Sequence, residues 1–275
     1  MIYKCIEDHG ELLLNFLAVD PIMNLFVIGN IETYGFDSLD QDVWAYTDDS
    51  SQITGILLRY KENVIPVHGE NFDGFETFLP LLQSLDEITA VSGASSTIEQ
   101  YAEFLPELEL TETTIALCQD LLESPKNIDL VEPLKKIGIP AYLTFQQECF
   151  GKTTEQELPL LEAMNADTIL IHVIKNDNGE ILSAGRLAVE TAEAGMIIDI
   201  GTIESERGNG YASAIIASLV QHCQQKGKKA CLFYSDASAG RLYHRLGFQD
   251  TELKWSMLKP REEKDKKTLF EELTT

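Results

Sequence analysis

At 275 residues and 44% hydrophobic composition, the chain has material for two ordinary domains, or one large one, with a real core. No apolar run approaches the ~20 residues that span a bilayer, and the start MIYKCIEDHGELL has no basic start followed by an apolar stretch and the small-residue cleavage site of a secretion signal. The net charge of −24 argues against nucleic acid, which needs a basic footprint.

That charge is uneven. Residues 1–130 hold 24 Asp and Glu against 4 Lys and Arg, a net of −20, whereas residues 131–275 hold 21 against 17, a net of −4. The five cysteines, at 5, 118, 149, 223 and 231, form no C-x-x-C pair, a usage that fits a reduced cytoplasmic protein. The five histidines lack metal-ligand spacing, so no metal site is expected.

In chain order, Met1–Ile6 reads as a short strand, Glu7–Val19 as a helix stopped before Pro21, and Ile22–Tyr34 as a second helix ending near Gly35. Strands follow at Asp42–Thr47, Ile53–Tyr60 and Asn63–Val67. A helix is predicted over Phe72–Leu85, a strand over Ile88–Val91, a helix over Ser95–Phe104 and a strand over Leu110–Leu117. Ser124 to Pro133 reads as a linker, so residues 1–130 and 131–260 are expected as two domains and 261–275 as a charged tail.

The second half begins with a strand predicted over Ala141–Gln146 and a helix over Thr153–Asn165, where Thr154 and Glu157 have capping-box spacing. Thr168–Ile174 and Glu180–Val189 make a hairpin through Asn176–Gly179. Met196–Thr202 is the next strand, and apolar residues at helical spacing mark a helix over Tyr211–Gln225. Ala230–Tyr234, a helix over Ala237–Leu246 and a strand over Lys254–Leu258 complete it. Both halves share one element order (strand, helices, three strands, helix, strand, helix, strand), which reads as an old internal duplication of an α/β fold with mixed sheets.

The most informative stretch joins the strand at Met196–Thr202 to the long helix through Arg207-Gly208-Asn209-Gly210-Tyr211-Ala212. Gly208 and Gly210 permit a tight turn and close backbone approach. The N–H groups of the first helical turn then face outward, a place suited to phosphate. Without a Gly-Lys-Ser/Thr ending it is not a P-loop, and it lacks the G-x-G-x-x-G of a dinucleotide site.

Arg207-x-x-Gly210-x-Ala212, after Ile200-Gly201-Thr202, resembles the coenzyme A signature Q/R-x-x-G-x-G/A of the GCN5-related N-acetyltransferases (GNAT family). Downstream, Asp236-x-x-Ala239-x-x-Leu242-Tyr243-x-x-Leu246-Gly247-Phe248 is similar to the family's N-x-x-A-x-x-L-Y-x-x-L-G-F, with Asp236 where Asn is common. The likeness covers roughly residues 139–260 and departs also at Ser205, where Pro is common. Pro21-x-x-Asn24-Leu25-Phe26 followed by Tyr34-Gly35 is similar to the first halves of two-part members, so the resemblance implies tandem GNAT-like folds with a degenerate first half. At the place matching the loop, the first half has His68-Gly69-Glu70-Asn71-Phe72-Asp73-Gly74, whose carboxylates would repel a pyrophosphate.

The resemblance implies acetyl-CoA as co-substrate and transfer of its acetyl group to a primary amine. Backbone N–H groups from Gly208 to Ser213, including Asn209 and Tyr211, would hold the pyrophosphate, with Arg207 adding charge. Ile200, Gly201 and Thr202 would pair with the pantetheine arm, and the Thr202 N–H would stabilise the oxyanion. Tyr243 would protonate the departing thiolate, phenol and thiol being close enough in pKa. Asp236 caps its helix and borders the cofactor arm. Asp199 and Glu190 lie on predicted strands near the active end, but the sequence singles out no general base; His172 reads as structural. The acidic first half suggests a cationic amine or basic peptide as acceptor. An acyl-CoA sensor and a peptidoglycan-type aminoacyl transferase remain as rivals, and the sequence is silent on oligomeric state.

Overall fold

The computed structural model describes residues 1–85, 88–154 and 169–261. The chain divides into two compact units, one made of Met1–Thr113 and the residues from Lys254 on, the other of Thr114–Leu253.

In the first unit, β1 (Ile2–Lys4) leads to α1 (Gly10–Leu17) and α2 (Leu25–Tyr34). β2 (Gln41–Thr47), β3 (Ile53–Tyr60) and β4 (Asn63–His68) follow, then α3 (Phe75–Gln83), β5 (Ala90–Ala94) and α4 (Ser95–Ala102). β1 to β4 form an antiparallel meander, β4 pairs parallel with β5, and β5 pairs antiparallel with residues 255–258 of β12 (Gln249–Pro260). β3, with Thr54 to Leu58 buried, is covered on both faces. Phe78, Leu82, Val91, Ile98 and Tyr101 pack together with Leu57 and Val64.

In the second unit, β7 (Glu132–Pro133) precedes α5 (Ile139–Phe150). β8 (Leu170–Lys175), β9 (Ile181–Glu190) and β10 (Ala194–Thr202) follow, then α6 (Tyr211–Gln225), β11 (Lys229–Tyr234) and α7 (Ala237–Leu246). β7 to β10 are antiparallel neighbours, β10 and β11 are parallel, and β11 pairs antiparallel with Thr114–Cys118 of β6 (Leu108–Cys118). The two units therefore repeat one pairing scheme, and the sixth strand of each comes from the other half of the sequence. α6 buries Ala214, Ile215, Ile216, Leu219, Val220 and Cys223 in a core with Leu187, Ile197, Leu232, Leu246 and Phe248.

Several expectations need correction. Residues 141–146 are not a strand but the middle of α5, which starts with Pro140 in its first turn and ends at Gly151, left-handed at φ 67°. Tyr, Thr and Phe in that stretch favour strands in isolation, but Tyr142, Phe145 and Gln146, one helical face, are buried, the two aromatic rings against Ile171, Val173 and Ala184. The opening strand of the second half is instead the two-residue β7, inside the stretch read as a linker. That linker also carries a 3-10 turn at Ile128–Leu130. The compact units part after Thr113 and Leu253, and Thr114–Cys118 finds its hydrogen-bonding partner in β11. The helix predicted over Thr153–Asn165, with its capping box, and the tail beyond residue 261 lie outside the described residues. β12, at Gln249–Pro260, is longer than the predicted Lys254–Leu258.

Candidate active site

The loop between β10 and α6 adopts the turn its glycines permit. Gly208 and Gly210 stand at φ 84° and 83°, Gly210 as the N-cap of α6. An added Cβ would meet nothing within 4 Å at Gly208, so the loop faces open space there. Asn209 is fixed at both ends: its side chain donates to Glu206 (3.0 Å), and its carbonyl accepts from Asn127 Nδ2 (2.8 Å). Arg207 Nε donates to the Thr202 carbonyl (3.3 Å), which ties the loop back to the end of β10. Ser213, buried in the first turn of α6, accepts from Arg245 of α7 (3.4 Å). Ile200, Tyr211 and Tyr243 all pack on the α6 core, while Ala212 is partly exposed. The structure thus gathers strand end, loop and both helices around one place.

β10 changes partners along its length. Its pairing with β11 covers Ala194–Met196, and Thr202 lies six residues further on. On the other side, Thr202 stands opposite Ser183, and Ile203 N–H donates to the Leu182 carbonyl (3.0 Å). Hydrogen-bonded and non-hydrogen-bonded pairs alternate in an antiparallel ladder. Thr202–Ser183 is the non-hydrogen-bonded kind, so the Thr202 N–H and C=O point away from β9, into the gap left by β11. The buried Ser183 hydroxyl donates to the Gly201 carbonyl (2.7 Å) and lies 3.0 Å from Thr202 Oγ1. Because the peptide is planar and trans, anchoring that carbonyl toward β9 directs the Thr202 N–H the opposite way. The other wall at Gly201 is aromatic: an added Cβ would stand 2.8 Å from Phe150 and 3.1 Å from Phe145.

Tyr243 is half-buried on α7, edge-on to Tyr234 with centroids 5.5 Å apart. Burial, with a contribution from Asp236, raises its pKa, so the phenol stays protonated around neutrality. Its helix is held at both ends. Asp236 accepts from the Ser238 hydroxyl, which does most to lower its pKa, and from the N–H groups of Ser238 (2.7 Å) and Ala239 (2.8 Å), which lower it further. Gly247, left-handed at φ 113°, closes a Schellman turn in which the Phe248 N–H donates to the Tyr243 carbonyl.

Neither carboxylate raised as a base stands free. Glu190 pairs with Gly195, at the opposite end of β10 from Thr202, which corrects its expected place near the active end. Burial would raise its pKa, but hydrogen bonds from Lys226 and Lys228 prevail and hold it down at about 2. Asp199 accepts from both Lys152 and Arg186. His172 contacts the Ser218 hydroxyl (2.8 Å), and burial drops its pKa to about 4, leaving a neutral structural pair. Sequence reasoning missed Ser183, Asn127 and Arg245, because each acts through a partner distant in sequence.

The first unit's counterpart is filled by its own side chains. The pairing of β4 with β5 covers two residue pairs, Asn63–Ala90 and Val64–Val91. Beyond it, His68 stacks on Phe72 at 3.9 Å and bonds Tyr101 through Nε2 (2.9 Å). Tyr101 is the seventh residue of α4, as Tyr243 is of α7.

Residues 139–248 match the sequence model of the acetyltransferase (GNAT) family. That match lies within the second unit, Thr114–Leu253. The fold comparison extends this architecture to the whole length. A GCN5-related N-acetyltransferase from Sphaerobacter thermophilus superimposes with a TM-score of 0.62 at 16% identity, covering 94% of each chain. A GNAT-family acetyltransferase from Colwellia psychrerythraea gives 0.60 at 13% identity, covering 95% of this chain and all of that one. A tandem GNAT protein from the clavulanic acid biosynthesis pathway gives 0.59 at 10% identity, covering 94% and 98%. At these identities the likeness speaks to fold: two GNAT-like folds in tandem. No curated protein matches the chain. Among the described residues, no group of three His, Cys, Asp or Glu side chains could hold a metal, and no helix is long and apolar enough to cross a membrane.

Proposed function

We propose that the second unit is a GNAT domain and an N-acetyltransferase that moves the acetyl group of acetyl-CoA to a primary amine by direct attack. The observation that carries this reading is the Thr202 peptide: its N–H and C=O leave β9 and face the gap where β10 and β11 have parted. Such a strand end can pair with an extended amide-bearing arm, and its N–H can donate to a carbonyl oxygen gaining negative charge. The open loop at Gly208 and Gly210, followed by the α6 N-terminus, supplies N–H donors and dipole for a pyrophosphate. Bound acetyl-CoA would supply the thioester and, on transfer, the thiolate leaving group. Tyr243, kept protonated by burial, is the group assigned to return a proton to that thiolate. No side chain is assigned as general base.

The acceptor is proposed to be a cationic amine. The support is the net charge of −24, whose field concentrates cations. The same field stabilises the ammonium over the attacking neutral amine, so activity should rise with pH into the alkaline range. The test is CoA release from acetyl-CoA with an amine panel that includes a cationic and a neutral acceptor matched at the reacting amine. Steeper salt dependence for the cationic one is expected, with screening over about 8 Å at physiological ionic strength. Turnover with no amine would refute acetyl transfer, and equal values insensitive to salt would refute the charge argument.

A further inference from the structure

Asp199 has an unusual backbone for a strand residue: φ is 53°, in the left-handed region. It sits in a bulge. Ile198 pairs with Arg186 and Gly201 with Ala184, so Asp199 and Ile200 together oppose Gly185. In bulges whose first residue is left-handed, that residue is ordinarily glycine. Here an aspartate holds the position, and its Oδ2 accepts from Lys152 Nζ (2.8 Å) and from Arg186 Nε (2.7 Å). All three side chains are largely shielded from solvent, at 27% exposure for Lys152, 15% for Asp199 and 14% for Arg186. Arg186 stands on β9 opposite the residue before the bulge, so its bond to Asp199 spans the irregularity. Lys152 arrives from the end of α5, with Nζ 5.4 Å from the Phe150 ring that covers Gly201.

The bulge decides what the Thr202 N–H can do. Without the extra residue, β10 would slip by one and Thr202 would stand opposite Leu182. That is a hydrogen-bonded position, where the Ile203 N–H now donates to the Leu182 carbonyl. The Thr202 N–H would be spent on β9. With the bulge it faces the gap.

We infer that Lys152 and Arg186, acting through Asp199, are positioning residues that hold the bulge and thereby aim the Thr202 N–H. The inference deepens the reading of Thr202 as donor to the thioester and rests on it. Two charge-assisted hydrogen bonds compensate a left-handed conformation that a residue with a Cβ otherwise avoids.

Glycine distinguishes this from a role in acceptor binding, because glycine takes positive φ without a clamp. The intact chain is compared as wild type, Arg186→Met, and Arg186→Met with Asp199→Gly. Arg186→Met should lower kcat by about ten-fold or more, under the 10²–10³-fold ceiling for losing a whole oxyanion donor. CoA affinity should stay within about two-fold, since the loop is untouched. Adding Asp199→Gly should return kcat to within about three-fold of wild type. Independently of turnover, the Thr202 amide should exchange fast with solvent in wild type, slowly in Arg186→Met as it joins the β9 ladder, and fast again in the double variant. Unchanged Thr202 exchange in Arg186→Met, or a kcat loss that Asp199→Gly does not restore, overturns the inference. A wild-type protein that acetylates no amine would refute the proposed function instead, and Thr202 exchange would still judge the clamp. If Arg186→Met fails to fold, Lys152→Met takes its place in the same series.

Discussion

Placing a charge at Gly210 tests the cofactor site most directly. Gly210 is left-handed at φ 83° as the N-cap of α6, and the nearest atom to an added Cβ is Asn127 Nδ2 at 4.0 Å. Alanine therefore fits in space, and its cost is the backbone conformation, about 1–2 kcal/mol. For a chain of this size that corresponds to a Tm about 2–8 °C lower. Glutamate carries the same backbone cost and adds a carboxylate beside the place assigned to the pyrophosphate. At roughly 5–6 Å from a doubly charged group, with an effective dielectric constant of about 40, the repulsion is about 3 kcal/mol. That distance is inside the ~8 Å screening length, so it survives at physiological salt. Calorimetry should then show CoA binding weakened by about 100-fold or more in Gly210→Glu. Thermal melts of Gly210→Glu and Gly210→Ala should agree closely, because both share the backbone cost. The same titration of wild type should give one site per chain, since the first unit's counterpart is occupied by His68, Phe72 and Tyr101. Gly210→Glu binding CoA at wild-type affinity would refute the placement, and a stoichiometry of two would refute the filled first site.

Tyr243→Phe should lower kcat by roughly 10–1000-fold while leaving CoA affinity nearly unchanged; a variant that melts early yet keeps full specific activity would make Tyr243 a core residue only. Glu190, held at about pKa 2 by Lys226 and Lys228, contributes stability that is present above the unfolded carboxylate pKa and lost as pH falls toward 2. Replacing it by Gln should remove about 1–2 kcal/mol at neutral pH, allowing for solvent screening of a partly exposed group, and flatten the acid limb between about pH 4.5 and 2. Melts across that range that superimpose on wild type would exclude the effect. Expressed alone, residues 131–261 should aggregate, because β11 would lose its partner Thr114–Cys118, whereas residues 114–253 should melt cooperatively. Equal solubility of the two, by size-exclusion chromatography, would show that this pairing is dispensable.

The sequence alone determined the parts whose physics is local. The bounds of α6 and α7, Tyr211–Gln225 and Ala237–Leu246, follow from helical spacing, the Asp236 cap and the glycines at 210 and 247. Those signals work through bonds spanning a few residues, and so did the turn at Gly208 and Gly210 that pointed to the candidate site. Tertiary structure decided the rest. Residues 141–146 carry strand-forming side chains and became helix because one face could be buried against β8 and β9. Strands β6 and β12 find their partners in the opposite half of the sequence, which no local pattern records. Asp199 in Ile198-Asp199-Ile200 reads as an ordinary strand residue; the structure places it in a bulge, with Lys152 and Arg186, 47 and 13 residues away, converging on its carboxylate. A strand's register depends on the neighbour it meets. The direction of one N–H, on which the proposed chemistry turns, is therefore set by contacts that form only when the sheet closes.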